Sequence, residues 1–267
     1  VIRSKWMLKK AWKAKRQGQV WVVENENGQR GYFKFATAKQ WYYSGPMIAN
    51  EYIALALAKK LGFPAAELVQ ATVRGPDGKK QTGIVSLEKP AKEIITWREA
   101  GEELHSQPER FVEQIDKLRT LVVFDAWIAN IDRALGKNLI LFRNDAKEKY
   151  KWYLIDHGHT LYGSPRKWKR GKMGARIWLQ LWKYYHVPKG LQRLQSSWPI
   201  LYEEIKKIES ITPCEIDEAL NSVPPGSLRK KERAFIKRLL FYRQKRLRTI
   251  IRRWLAYKGT KEYGSDK

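Results

Sequence analysis

Two short segments of this chain carry side chains suited to phosphoryl transfer. Ile131-Asp132-Arg133-Ala134-Leu135-Gly136-Lys137-Asn138 runs into the apolar Leu139-Ile140-Leu141, and Tyr153-Leu154-Ile155-Asp156-His157-Gly158-His159 closes a second apolar run. Phosphoryl transfer needs a carboxylate to orient the attacking hydroxyl, and an Asn and an Asp to hold the metal that neutralises the phosphates. Asp132, Asn138 and Asp156 supply those types in that order. About two dozen residues separate the two Asp residues, room for one β-hairpin. Taken singly, Asp-Arg is a common surface dipeptide and Asp-x-Gly an ordinary turn. Their order, with strand-like runs between them, is what points to the chemistry.

The elements that must position these groups can be read from apolar periodicity. Residues 1–16 are basic, with Trp6, Leu8 and Trp12 at rough helical spacing, and read as an N-terminal extension. Val20–Val23 and Tyr32–Phe35 flank an Asn27-Gly28 turn and predict a hairpin. Ser44-Gly45-Pro46 predicts the start of a helix that runs past Asn50-Glu51 and stops at Gly62. A second hairpin is expected from Leu68–Val73 and Gly83–Leu87 around Pro76-Asp77-Gly78. After Glu88-Lys89-Pro90 the pattern turns helical, with an apolar face from Phe111 through Leu121, Val122, Asp125 and Ile128. The Asp132–Gly158 hairpin and a basic loop from Gly163 to Lys172 follow. One long terminal helix is then predicted from about Leu228 to Tyr257, with a dozen Arg and Lys opposite its apolar face. The fold class is α+β: a strand-rich lobe with one key helix over 17–88, and a mostly helical lobe over 89–267.

Composition bounds the partners. The 267 residues are 43% hydrophobic, with 12 Trp and 13 Tyr, which excludes a disordered basic tail. The single Cys214 excludes an intrachain disulfide framework, and no apolar run is long enough for a membrane span. The first residues lack the apolar core of a signal peptide, so a cytoplasmic protein is expected. The 53 Lys and Arg outnumber 27 Asp and Glu, for a formal net charge of +26. Such a field attracts polyanions such as RNA, or a protein that sits on RNA. His157 and His159 have no Cys, His or carboxylate cluster near them in sequence to complete a zinc site.

Tyr32-Phe33-Lys34-Phe35, the helix with Asn50-Glu51, the stretch from Val122 to Arg133, and Leu154-Ile155-Asp156-His157-Gly158-His159 together resemble the compact HipA-like kinase family. The resemblance spans roughly residues 17–255. It implies a two-lobed protein-kinase-like fold that binds ATP and Mg2+. Lys34 would hold nucleotide phosphates, and Glu51 would pair with Lys34. Asp132 would be the catalytic base, and Asn138 and Asp156 would bind the metal. Arg133 would be structural. Two features depart from the family pattern. Asp132 and Asn138 stand six positions apart where five is usual, and Gly136 is the residue able to absorb the extra one. The only candidate for a phosphate loop is Gln17-Gly18-Gln19, so Gly18 stands alone among nucleotide-binding candidates of that kind.

The expected activity is transfer of the γ-phosphoryl group of Mg-ATP to a macromolecular hydroxyl. The resemblance implies a protein Ser or Thr. The charge suggests instead an RNA hydroxyl, tRNA included, with Arg166, Lys167, Lys169, Arg170 and Lys172 as candidate acceptor-binding cations. A nucleic-acid-binding pseudokinase is the non-catalytic alternative. A small-molecule phosphotransferase is disfavoured, because an acidic pocket for cationic substrates would be expected of it.

Overall fold

Strand-forming apolar runs organise the first part of the chain. A computed structural model describes residues 5–14, 18–165, 185 and 187–258. In it, β1 (Trp6–Ala14), β2 (Gly18–Asn25), β3 (Arg30–Lys34), β4 (Leu68–Arg74) and β5 (Lys80–Leu87) form one antiparallel sheet in the order β1-β2-β3-β5-β4. The register sets Trp21 opposite Phe33, and Phe33 opposite Val85. These three join Trp6, Val23, Phe35, Ala71 and Val73 in a small core of their own. The sheet curls until its edge strands β1 and β4 touch. Side chains alternate across a strand, so Lys34, next to Phe33, faces away from that core.

Between β3 and β4 the chain makes two helices, α1 (Ala38–Ser44) and α2 (Met47–Lys60). Although α2 lies in sequence between strands of the sheet, its Ala49, Ile53, Ala54, Leu57 and Ala58 belong to the large core of the helical half. That core is built on α5 (Ile115–Trp127), buried from Thr120 to Trp127. Around it pack α6 (Trp198–Glu209), α7 (Pro213–Asn221), α8 (Lys230–Gln244) and α9 (Leu247–Lys258). Two short helices, α3 (Glu102–Ser106) and α4 (Pro108–Phe111), precede α5. A three-stranded antiparallel sheet, β6 (Glu93–Thr96), β7 (Leu139–Arg143) and β8 (Lys151–Leu154), carries the ends that matter for the site. Among the described residues, no helix is long and apolar enough to cross a membrane.

Four local expectations are corrected. Residues 6–14 form β1 and not a helical extension, because Trp6 and Leu8 alternate onto the sheet core and a bulge between Leu8 and Lys10 shifts the phase. Gly18 therefore starts the second strand, opposite Ala14, and not the first. Ser44 does not cap α2. It ends α1, and its hydroxyl lies 3.4 Å from His159 Nε2. The terminal helix breaks at Lys245-Arg246. Just before the break Gln244 donates to the carbonyls of Ile208 and Ile211 at 2.8 and 2.7 Å, and the turn lets α9 lay Leu247, Ile251 and Trp254 into the large core.

The dozen cations of the terminal segment also divide. Arg243 is fully buried against the carbonyl of Ala126 and the Tyr185 hydroxyl. Arg229 pairs with Glu232, Arg233 and Lys237 with Asp217, and Arg248 with Glu209. Lys230, Lys231, Arg238, Lys245, Arg246, Arg252 and Arg253 remain exposed.

Candidate active site

Lys34 is the centre of the site. Its ammonium is buried and donates at 2.7 Å to Glu51 Oε1 and at 2.7 Å to Asp156 Oδ1. One cation from β3 thus joins a carboxylate of α2 to a carboxylate that follows β8, 122 positions along the chain. Burial opposes the charge on Lys34, but Asp156 and then Glu51 outweigh it and hold the ammonium protonated, its pKa raised. Burial likewise opposes ionisation of Asp156, and Lys34 overrides it, lowering that carboxyl to about 2. The pair is therefore fully ionised at neutral pH. Its contribution to stability is present above the ordinary carboxylate range and is lost only as pH falls toward 2.

Helix α2 holds the turn that bears Asp156. The free oxygen of Glu51, Oε2, accepts the backbone N–H of His157 at 2.8 Å, and Asn50 Nδ2 donates to the carbonyl of Gly158 at 2.9 Å. Asp156 itself sits at φ 58°, a left-handed conformation that Asp tolerates better than most residues. Gly158 has no alternative: a Cβ there would come within 2.6 Å of Met47 Cγ, the first residue of α2. Asn50 and Glu51 thus serve one turn from two adjacent positions.

The loop from Asn130 to Asn138 is fixed from beneath by ions. Arg133 is 3% exposed and donates from Nε to Asp125 Oδ2 at 3.1 Å and from Nη2 to Asp125 Oδ1 at 3.2 Å. Its remaining contacts are the carbonyl of Asn138 and His157 Nε2. Asn130 Nδ2 completes Asp125 at 2.7 Å. Breaking such a buried pair by removing one partner costs about 3–5 kcal/mol. His157 is buried in the same network. Burial, reinforced by Arg133, lowers its pKa to about 3, so it is neutral and packs edge-on to Phe124.

On this base stand the two remaining residues. Asp132 is exposed, and its carboxylate has no partner among the described residues. Asn138 Nδ2 donates to the backbone carbonyl of Asp132 at 3.1 Å, and the Asn138 carbonyl accepts from Ile155 N at 3.2 Å, one residue before Asp156. The sixth position between Asp132 and Asn138 is absorbed by Gly136 at φ 67°, in a turn closed by its N–H to the Arg133 carbonyl at 2.9 Å. Gly136→Ala should cost about 1–2 kcal/mol, since a left-handed Ala is strained and its Cβ would lie 3.0 Å from Trp97 Cδ1. A urea midpoint shift with unchanged m-value would measure this loss, and an unshifted midpoint would remove Gly136 as the accommodating residue.

The structure brings Lys34, Glu51 and Asp156 into contact, with Asn138 beside Asp156 and Asp132 beside Asn138. Among the described residues no cluster of three or more His, Cys, Asp or Glu could hold a metal by itself. Asn138 Oδ1 and Asp156 Oδ2 have no protein donor among the described residues, however, and amide and carboxylate oxygens suit a hard divalent cation that substrate phosphates complete. Gly18 lies at the Lys34 end of the sheet, since its near neighbour Val20 pairs with Lys34. Arg166, Lys167, Lys169, Arg170 and Lys172 lie outside the described residues. Asp125 escaped the sequence reading as a partner of Arg133. The available signal was a carboxylate inside an apolar helical stripe, eight positions before an Arg.

A curled antiparallel sheet whose lysine pairs with a helix glutamate, set against an Asp turn at the edge of a helical half, defines a protein-kinase-like phosphotransferase. Residues 37–164 match the family model of HipA-like kinases, and the protein is a kinase. The match begins three positions after Lys34 and includes Glu51, Asp132, Asn138 and Asp156. Among solved structures, the chain is similar to the proinflammatory kinase CtkA of Helicobacter pylori, with a TM-score of 0.63 and 14% identity over 97% of this chain and 98% of that one. It is also similar to the Golgi casein kinase with Mn/ADP bound, with a TM-score of 0.51 and 12% identity over 97% of this chain and 74% of that one. At such identities these likenesses concern the fold. No curated protein matches the sequence. The match to a kinase family implies use of ATP and a divalent metal.

Proposed function

We propose that this kinase transfers the γ-phosphoryl group of Mg-ATP to a Ser or Thr hydroxyl of a protein. The observation that carries the reading is the double contact of Lys34 with Glu51 and Asp156 at 2.7 Å each. In this reading the sheet lobe grips the nucleotide. Lys34, steadied by Glu51, holds its phosphates, with Gly18 at the same end of the sheet. Asp132 orients the acceptor hydroxyl and takes its proton as the acceptor oxygen bonds to the γ-phosphorus and the bond to the β,γ-bridging oxygen breaks. Asn138 and Asp156 hold magnesium, which when bound neutralises charge on the phosphates. Because Gly136 absorbs the extra residue and Asn138 still bonds to Asp132, the arrangement favours an active kinase over a pseudokinase.

One observation favours an RNA hydroxyl as the second reading. Helices α8 and α9 have no acidic residue after Glu232, while Arg238, Lys245, Arg246, Arg252 and Arg253 are exposed. Arg166, Lys167, Lys169, Arg170 and Lys172 would add further cations for such an acceptor. Purified protein with labelled ATP and Mg2+, offered total protein and total RNA separately, should label the protein fraction. Label confined to RNA would replace the Ser/Thr reading with the second, and RNA binding would then weaken steeply with salt. No transfer to either, with ATP still bound, would leave the pseudokinase.

A further inference from the structure

Lys34 belongs to the sheet, yet its partners Glu51 and Asp156 belong to the helical half, so something must register the two. The chain leaves Lys34, and within three residues Thr37 caps α1, its hydroxyl accepting the N–H of Gln40 at 3.0 Å. One turn into α1, the Trp41 indole N–H donates at 2.8 Å to Glu232 Oε1, near the start of α8 and 191 positions away. Glu232 is 2% exposed. Its other oxygen accepts the N–H of Arg229 at 2.9 Å, which caps α8, and the Arg229 guanidinium bonds to Oε1 while lying 4.6 Å above the Trp41 ring. The indole is thus held by its edge and by one face. Tyr162 packs beside Trp41, with ring centroids 6.3 Å apart, and meets Phe235 of α8 edge-on at 5.2 Å.

The far end of α1 is equally fixed. Gly45 closes the helix on the Trp41 carbonyl at 2.7 Å, and a Cβ at Gly45 would sit 2.5 Å from the Gly163 carbonyl oxygen. Asn50 then spans the corner between the helices to the Ser44 carbonyl at 3.4 Å. From Lys34 to Glu51 the backbone therefore has few free joints, and the Trp41–Glu232 hydrogen bond ties it to α8.

We propose that Trp41 and Glu232 are positioning residues for phosphate binding: their hydrogen bond fixes α1 to α8 and so sets where Lys34 stands relative to Glu51 and Asp156. This rests on the assignment of Lys34 and Glu51 to the nucleotide phosphates. A tether of this kind acts on the phosphate end of a nucleotide and is indifferent to its nucleoside end. That difference separates positioning from general stability.

The test is calorimetric affinity for Mg-ATP and for adenosine, in the full chain and in single and double variants. Trp41→Phe should weaken Mg-ATP binding about tenfold, the order of one lost hydrogen bond to a charged group, and leave adenosine affinity unchanged. Glu232→Met should do the same, and Glu232→Gln, which keeps an oxygen for the indole, should restore most of the affinity. Glu51→Gln should also weaken Mg-ATP selectively, and the pair Trp41→Phe with Glu51→Gln should lose less than the sum of the singles. If Trp41→Phe lowers only the melting temperature, weakens both ligands equally, or adds fully to Glu51→Gln, the positioning role is wrong. If Glu51→Gln leaves Mg-ATP affinity intact, the underlying Lys34–Glu51 assignment falls, and this inference with it.

Discussion

Asp132→Ala should lower phosphoryl transfer by about two to four orders of magnitude, the usual contribution of a positioned general base, while Mg-ATP affinity stays near wild type. Asp132 is exposed and its carboxylate has no partner among the described residues, so its removal leaves the Arg133–Asp125 and Asn138 contacts standing. Asp156→Asn should abolish transfer to a similar degree for another reason. It exchanges the carboxylate proposed to hold the metal for a neutral amide, and it also takes one of two anions from a buried ammonium. Metal-dependent ATP binding should therefore weaken in Asp156→Asn and persist in Asp132→Ala. Transfer measured with labelled ATP, beside calorimetric ATP titrations with and without Mg2+, distinguishes the two. Full turnover in either variant would remove that residue from the reaction.

Lys34→Ala should have the second largest effect, and it should be double. Two carboxylates that faced one cation would be left facing each other, one of them, Glu51, 4% exposed. Removing one member of a buried ion pair costs about 3–5 kcal/mol, so the melting temperature should fall together with Mg-ATP affinity. Adding Glu51→Gln to Lys34→Ala should restore much of the stability by removing the stranded charge, and none of the ATP affinity. That split separates the two roles of the lysine. If stability falls and ATP affinity does not, Lys34 is a structural ion and the nucleotide assignment is wrong.

The hairpins and the Asp-x-Gly turn were legible because they rest on local signals, whereas the kinase-like fold and the pairing of Lys34 with Glu51 came from the resemblance to HipA-like kinases. Asn27-Gly28 marks a hairpin, the alternation around Phe33 places Lys34 on the opposite face, and Asp-x-Gly after Leu154-Ile155 marks a turn. What sequence left out was set by long-range contact. Trp6 and Leu8 fit a helix or a strand equally until β2 offers a partner. The terminal segment reads as one helix, and only the carbonyls of Ile208 and Ile211 give Gln244 its place at the break. Charge counted along a helix likewise missed Arg243, buried against the backbone of Ala126, and Asp217, which takes Lys237 from another helix. Periodicity tells which face is apolar, and the partner decides which cation is spent.

The curled sheet and the helical half have separate buried cores, and α2 sits in the larger. Local opening follows such cooperative units. Amide protons of β2 and β3 should then exchange with solvent as one group, faster than those of α2 and α5, although α2 lies between strands of that sheet in sequence. A tilt of the sheet would carry Lys34 with it and leave Glu51 and Asp156 behind. The two 2.7 Å contacts of a single ammonium are thus a gauge of how far the cleft stands open.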